Sequence, residues 1–179
     1  MPVTASAGKG LGQIVDKYVH YYQKVVIFAG QNKKGMFSKA CEYGIRASIY
    51  VVGQSLSDKR VGLREVAKAI GSPVAYTSKI LQLLSRNNII SSEKGPTGGY
   101  YIDKPALGKI KLSTIVSAID GDLVYNGCGL GLRDCSEDRP CSIHNQFKLI
   151  RSDLKQMLET TTLLALSNDN NNGLTFLKR

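Results

Sequence analysis

No apolar run in this sequence approaches the roughly 18 residues needed to cross a bilayer. The one apolar stretch near the start, residues 18–30, is interrupted by Gln23 and Lys24, so a secretory signal is not expected either. Acidic residues are scarce: 14 Asp and Glu stand against 24 Lys and Arg, for a net charge of +10. Cysteine is limited to four positions and none forms a C-x2-C pair, which argues against a zinc knuckle and against a thioredoxin-like redox motif. No glycine-rich turn leads into a helix opening on Lys-Ser/Thr, which excludes a P-loop. With no catalytic base or substrate cradle near its thiols, the chain is not expected to be an enzyme. These absences leave a soluble chain, expected in the cytoplasm, with ordinary globular proportions of 42% hydrophobic and 21% charged residues.

What is present is concentrated. Three of the four cysteines and one of only two histidines form the run Cys128-x6-Cys135-x5-Cys141-x2-His144. The stretch is charged and rich in glycine, so packing alone does not explain three thiols there. Three thiolates and an imidazole are a donor set for zinc or for an iron–sulfur cluster. A disulfide with a spare thiol is the bland alternative. Positive charge is equally uneven. Residues 1–35 carry five Lys and Arg against one Asp, residues 36–105 ten against five, and residues 106–179 nine against eight. A basic middle region points to an anionic partner, with nucleic acid the first candidate.

Apolar spacing predicts the elements that hold these features. Residues 37–52, with Ile45, Ile49 and Val52 among small Ala40, Cys41 and Ala47, read as a buried first helix, followed by a polar turn over 54–60. Leu63, Val66, Ala67 and Ile70 mark one face of a short helix ended by Gly71. Ser72 and Pro73 read as the N-cap and first position of a helix reaching about Arg86, with Thr77, Ile80, Leu81 and Leu84 inward. Two short helices joined by a glycine turn form a helix-turn-helix pattern. A strand over 88–92, a turn over 94–99 and a returning strand over 100–102 then make a wing. Gly98 and Gly99 permit positive φ and close backbone approach there, and Lys94 charges the tip. Leu112, Ile115, Val116 and Ile119 mark a further helix, capped by Ser113. After the cysteines, Ile143, Phe147, Ile150, Leu154, Met157, Thr161 and Leu164 form a heptad seam on one long helix suited to pairing with a copy of itself, with packing on its own domain as the alternative. Residues 167–172 are polar and low in complexity, and read as disordered.

From Met36 to about Leu166 the chain resembles the Rrf-type family of winged-helix transcriptional regulators, which has IscR-like and NsrR-like members. The likeness rests on Cys41-Glu42-Tyr43-Gly44-Ile45-Arg46-Ala47, on Glu65-Val66-Ala67, on the wing Gly95-Pro96-Thr97-Gly98-Gly99-Tyr100, and on the order of helix, three-cysteine loop and final helix. The resemblance implies a mainly α (α+β) fold. A winged helix-turn-helix domain spans 36–105, a cluster-binding loop and long dimerisation helix 106–166, and a flexible tail 167–179. It implies a homodimer on a double-stranded DNA operator, acting as a repressor, with no membrane association. Tyr76, Thr77, Ser78, Lys79 and Gln82 would face the major groove, and Ser38 and Lys39 the phosphates. Lys94, with Thr97 and Gly98, would sit at the wing contact; the family's usual arginine is Lys94 here. The resemblance also implies an iron–sulfur cluster on Cys128, Cys135 and Cys141, with 2Fe–2S favoured and 4Fe–4S the alternative. His144 is the favoured fourth ligand, and Glu42 from the partner subunit its competitor.

Residues 1–35 resemble nothing that follows. Asn32-Lys33-Lys34-Gly35, immediately before Met36, is encoded by purine-rich codons, as a ribosome-binding site would be. The segment therefore reads as an over-extended start, the alternative being a disordered basic arm. Mass spectrometry of the natural protein's N-terminus is expected to find Met36 or Phe37; finding Met1 or Pro2 would contradict this.

Overall fold

The computed structural model describes residues 36–177. The reading of residues 1–35 lies outside the described residues. Helix α1 (Lys39–Ser55) starts where Ser38 supplies a cap, its Oγ accepting from the Cys41 N–H at 3.1 Å. It runs three residues beyond the predicted end because Ser55 is useful inside. The Ser55 hydroxyl donates to the Val51 carbonyl at 2.8 Å and accepts from the Ile102 N–H at 3.0 Å, tying the end of the wing to α1. Cys41, Gly44, Ala47, Ser48, Ile49, Val51, Val52 and Ser55 are all buried, so α1 is the central helix of the core.

Helix α2 (Leu63–Ile70) ends as predicted at Gly71, whose φ of 64° is the left-handed conformation glycine adopts without a Cβ penalty. Helix α3 (Val74–Arg86) starts one residue later than predicted. Pro73 occupies the cap position, and the Ser72 hydroxyl pairs with Thr77 instead of capping. Thr77, Ile80, Leu81 and Leu84 are its buried face, as the spacing predicts. The wing is shorter than expected: β1 (Ser91–Glu93) and β2 (Gly99–Tyr101) pair antiparallel with Ser91 opposite Tyr101 and Glu93 opposite Gly99. Ile89 and Ile90 leave the strand because they are buried in the core, and the Ile89 N–H closes back on the Leu84 carbonyl at 3.0 Å. A further rung, outside the β1–β2 ladder, comes from Val61, which exchanges hydrogen bonds with Tyr100 at 3.0 and 2.9 Å. Gly99 is required at that rung. Its φ is +151°, and a Cβ would lie 2.9 Å from the Val61 carbonyl oxygen.

After a 3-10 turn at Lys104–Ala106 come α4 (Leu112–Asp120) and the one-turn α5 (Leu123–Asn126). Ser113 is not the cap of α4. Lys111 precedes its first turn and pairs with Thr162 in an isolated bridge. That bridge also breaks the predicted long helix in two. The Thr161 carbonyl accepts from the Leu112 N–H at 2.9 Å and the Leu163 N–H donates to the Ile110 carbonyl at 3.0 Å. With Thr161 extended at ψ 121°, α6 (His144–Thr160) stops and α7 (Leu163–Asn171) begins under a Thr162 cap. Leu164 therefore leaves the heptad seam. Helix α7 packs along α1, and a Cβ on Gly53 would lie 2.8 Å from the Ser167 hydroxyl. Residues 167–171, read from composition as the start of a disordered tail, are helical because α1 offers them this groove. Among the described residues no helix is long and apolar enough to cross a membrane.

Leu158 on α6 is fully buried in the domain's own core. Leu158→Ala should lower stability by about 2–5 kcal/mol in urea denaturation; an unchanged midpoint would show that α6 does not pack on its own domain in solution.

Candidate cysteine-loop centre and nucleic-acid interface

The cysteine run folds back against the start of α6. His144 is the first residue of that helix and only 5% exposed, and its N–H is held by the Cys141 carbonyl at 2.9 Å. The four donors form two pairs. Cys128 Sγ lies 3.8 Å from Cys141 Sγ, and Cys135 Sγ lies 3.5 Å from His144 Nδ1. Two thiolates held about 2.3 Å from one tetrahedral metal sit about 3.7 Å apart, and a thiolate and an imidazole nitrogen about 3.6 Å apart. Each pair is thus spaced to chelate one metal. Among the described residues no group of three or more His, Cys, Asp or Glu side chains converges on a single ion.

Two features of α6 support the loop, both at helical spacing from His144. The Phe147 ring lies against Gly129, where a Cβ would come within 2.8 Å of it. Arg151 donates to the Gly127 carbonyl at 2.8 Å. The sequence signal for Arg151 was available, since it stands one face-repeat beyond His144 and Phe147, but composition made it one charge among many. The Cys128 thiol is held below its ordinary range. The backbone N–H groups of Leu130 and Leu132 favour its thiolate, the neighbouring Cys141 thiol adds to this, and the Arg151 charge acts in the same direction. Cys41 behaves oppositely: burial, and then the Asp120 carboxylate, push its thiol up to about 12. It belongs to the α1 core and not to the loop.

The residues expected at DNA fall into three groups. Lys79 and Gln82 are exposed on α3, with the Gln82 amide donating to Ser78 Oγ at 3.2 Å. Tyr76 is half-buried, edge-on to Tyr43 with ring centroids 5.7 Å apart, and Arg46 stacks on that Tyr43 at 4.5 Å. Thr77 corrects the expectation. It is fully buried, and its hydroxyl donates to the Pro73 carbonyl at 3.0 Å, so it shapes the turn and cannot reach a groove. On the wing, Lys94 and Thr97 are exposed and Gly98 half-buried, and a Cβ on Gly98 would overlap the Glu93 backbone. At the start of α1, Ser38 and Lys39 are already engaged: Ser38 with Asp120, and the Lys39 ammonium with Glu42 at 2.5 Å. Sequence reasoning also missed Arg60. Its guanidinium pairs with Glu93 and lies 4.7 Å from the centre of the Tyr101 ring, a contact between segments 33 and 41 residues apart that no local pattern signals.

The chain matches the family model Rrf2, described as an iron-dependent transcriptional regulator, over residues 37–169. A protein of Aquifex aeolicus, provisionally named an HTH-type transcriptional regulator, is 29% identical over 135 residues, covering 74% of this chain and 92% of that one. The HTH-type transcriptional regulator IscR of Yersinia pseudotuberculosis is 25% identical over 127 residues, covering 71% and 76%. Among solved structures, CymR, the global cysteine regulator of B. subtilis, superimposes with a TM-score of 0.61 at 20% identity over 74% of this chain and 95% of that one. The IscR of T. potens does so at 0.58 and 20% identity over 82% and 94%. At these identities the superpositions establish the fold.

In the metal-free protein, Cys128 should be alkylated by iodoacetamide at lower pH than an ordinary thiol, while Cys41 stays unmodified until the protein unfolds. Arg151→Ala should move the onset of Cys128 labelling to higher pH; the same onset in both proteins would remove the guanidinium from this account.

Proposed function

Because this chain belongs to the Rrf2 family of winged-helix transcriptional regulators, which are not enzymes, we propose that it is a homodimeric repressor whose operator affinity is set by an iron–sulfur cluster on Cys128, Cys135, Cys141 and His144. The observation that carries this reading is the division of the four donors into two chelating pairs. A 2Fe–2S cluster asks for two donors on each of two irons, whereas a structural zinc asks for four donors around one centre. The donor set therefore fits the cluster better than the ion. Glu42 is engaged by Lys39 within its own helix, which favours His144 as the fourth ligand over the partner subunit's carboxylate. When bound, such a group supplies a centre sensitive to oxidant, nitric oxide or iron supply.

The chain's own residues do the rest. Lys79 and Gln82, with Ser78 and Tyr76 behind them, lie on the exposed side of the second helix of the helix-turn-helix, the position that enters a major groove. Lys79 and Lys94 make no ion pair among the described residues, so their charge is free for phosphates. Thr97 and Gly98 complete the wing contact, and Ser38 would reach a phosphate once Asp120 releases it. Leu149 and Met157 on α6 are 61% and 44% exposed. Apolar side chains left in water on the helix that carries the heptad seam support pairing with a second copy.

Purified without oxygen, the protein should carry about two iron and two sulfide per chain. His144→Ala should alter the electron paramagnetic resonance spectrum of the reduced cluster, and Glu42→Ala should not. Zinc without iron or sulfide would contradict the reading. In gel retardation with its own promoter, Lys79→Ala and Lys94→Ala should each weaken binding and lower the salt slope by about two, one contact from each protomer of the dimer.

A further inference from the structure

Helix α4 is fixed at both ends to the parts of the molecule that a loop-to-DNA switch has to connect. At its start, the Leu112 N–H bonds the Thr161 carbonyl at 2.9 Å, joining α4 to the end of α6. At its finish, the Asp120 carboxylate accepts from the Ser38 N–H at 2.9 Å and from the Ser38 hydroxyl. That same hydroxyl caps α1. Between these ends α4 is seated tightly on α1: Ile115 and Val116 are fully buried, and Ile119 overlies Gly44. Beyond Asp120 the chain needs only α5 to reach Gly127, whose carbonyl Arg151 holds, and then Cys128.

We propose that the Asp120–Ser38 contact is a clasp through which the cysteine loop controls the DNA-facing end of α1, with Asp120 acting as a positioning residue that competes with a DNA phosphate for Ser38. The inference rests on the reading of the chain as a loop-controlled DNA-binding regulator. A backbone phosphate would be held by the N–H and hydroxyl groups that Asp120 now occupies. Carboxylate and phosphate cannot share them, because both are anions and Ser38 has only these two donors. A loop rearrangement that draws Asp120 away exposes Ser38; one that seats it closes the site. The loop thus biases DNA affinity without touching DNA, through one contact with two arrangements.

The test is a coupling measurement. Wild type, Asp120→Asn, Cys135→Ala and the double variant, all full-length and purified without oxygen, are titrated onto the duplex that wild type selects from a random-sequence pool. Cys135→Ala should change wild-type affinity about tenfold, and in the Asp120→Asn background by about twofold or less. An undiminished change in that background overturns the clasp and leaves loop sensing intact. No change from Cys135→Ala in the wild-type background overturns both. Should Asp120→Asn fail to fold by circular dichroism, Ser38→Asp takes its place: it still caps α1 but repels Asp120, and it should abolish the coupling. Retained coupling in Ser38→Asp overturns the proposal.

Discussion

Gly44 has no side chain, and α1, α3 and α4 close on that bare position. A Cβ there would lie 3.6 Å from Ile80 of α3 and from Ile115 of α4, and would overlap Ile119. Interiors pack at near-crystalline density, so such a contact admits little slack. Consequently α3 and α4 are both referenced to one point on α1. The wing is referenced to α1 as well, through Ser55 and Ile102. Helix α4 also packs on α3 and on α6, so a displacement of α4 is passed to the helices on either side of it as well as to α1.

The break at Thr161 has a similar reach. One bridge between Lys111 and Thr162 ends α6, turns α7 back along α1 and fixes where α4 begins. Had the helix continued, Leu164 would have extended the seam. Instead α7 buries Leu163 and Ser167 in its own domain, and on α6 Leu149 and Met157 stay exposed. The loop lies at the start of α6 and the bridge at its end, so a single helix separates the donor pairs from the anchor of α4.

Much of this was legible in the sequence. Helices α2 and α3, the Gly71 turn and the hairpin wing all followed from spacing and residue type, because each is a local pattern, and so did the approach of Cys128 to Cys141 and of Cys135 to His144 within one loop. What the sequence hid was long-range. Thr162 offers a local cap for α7, but α6 ends at Thr160 because the Leu112 N–H, 49 positions earlier, holds the Thr161 carbonyl. Composition alone marks residues 167–172 as disordered, and only the groove beside Gly53 makes a helix of 167–171. Thr77 carries a hydroxyl on a helix expected to touch DNA, yet its side chain serves the turn. The engagement of Ser38 by Asp120 joins residues 82 positions apart, and no periodicity marks it.

The central claim is that the state of the cysteine loop sets the grip on DNA. Its most direct measurement takes one anaerobic preparation and determines operator affinity before and after its iron is removed by a chelator. The account predicts a change of about fivefold or more between the two states. The same affinity in both, with the protein folded throughout, would contradict it.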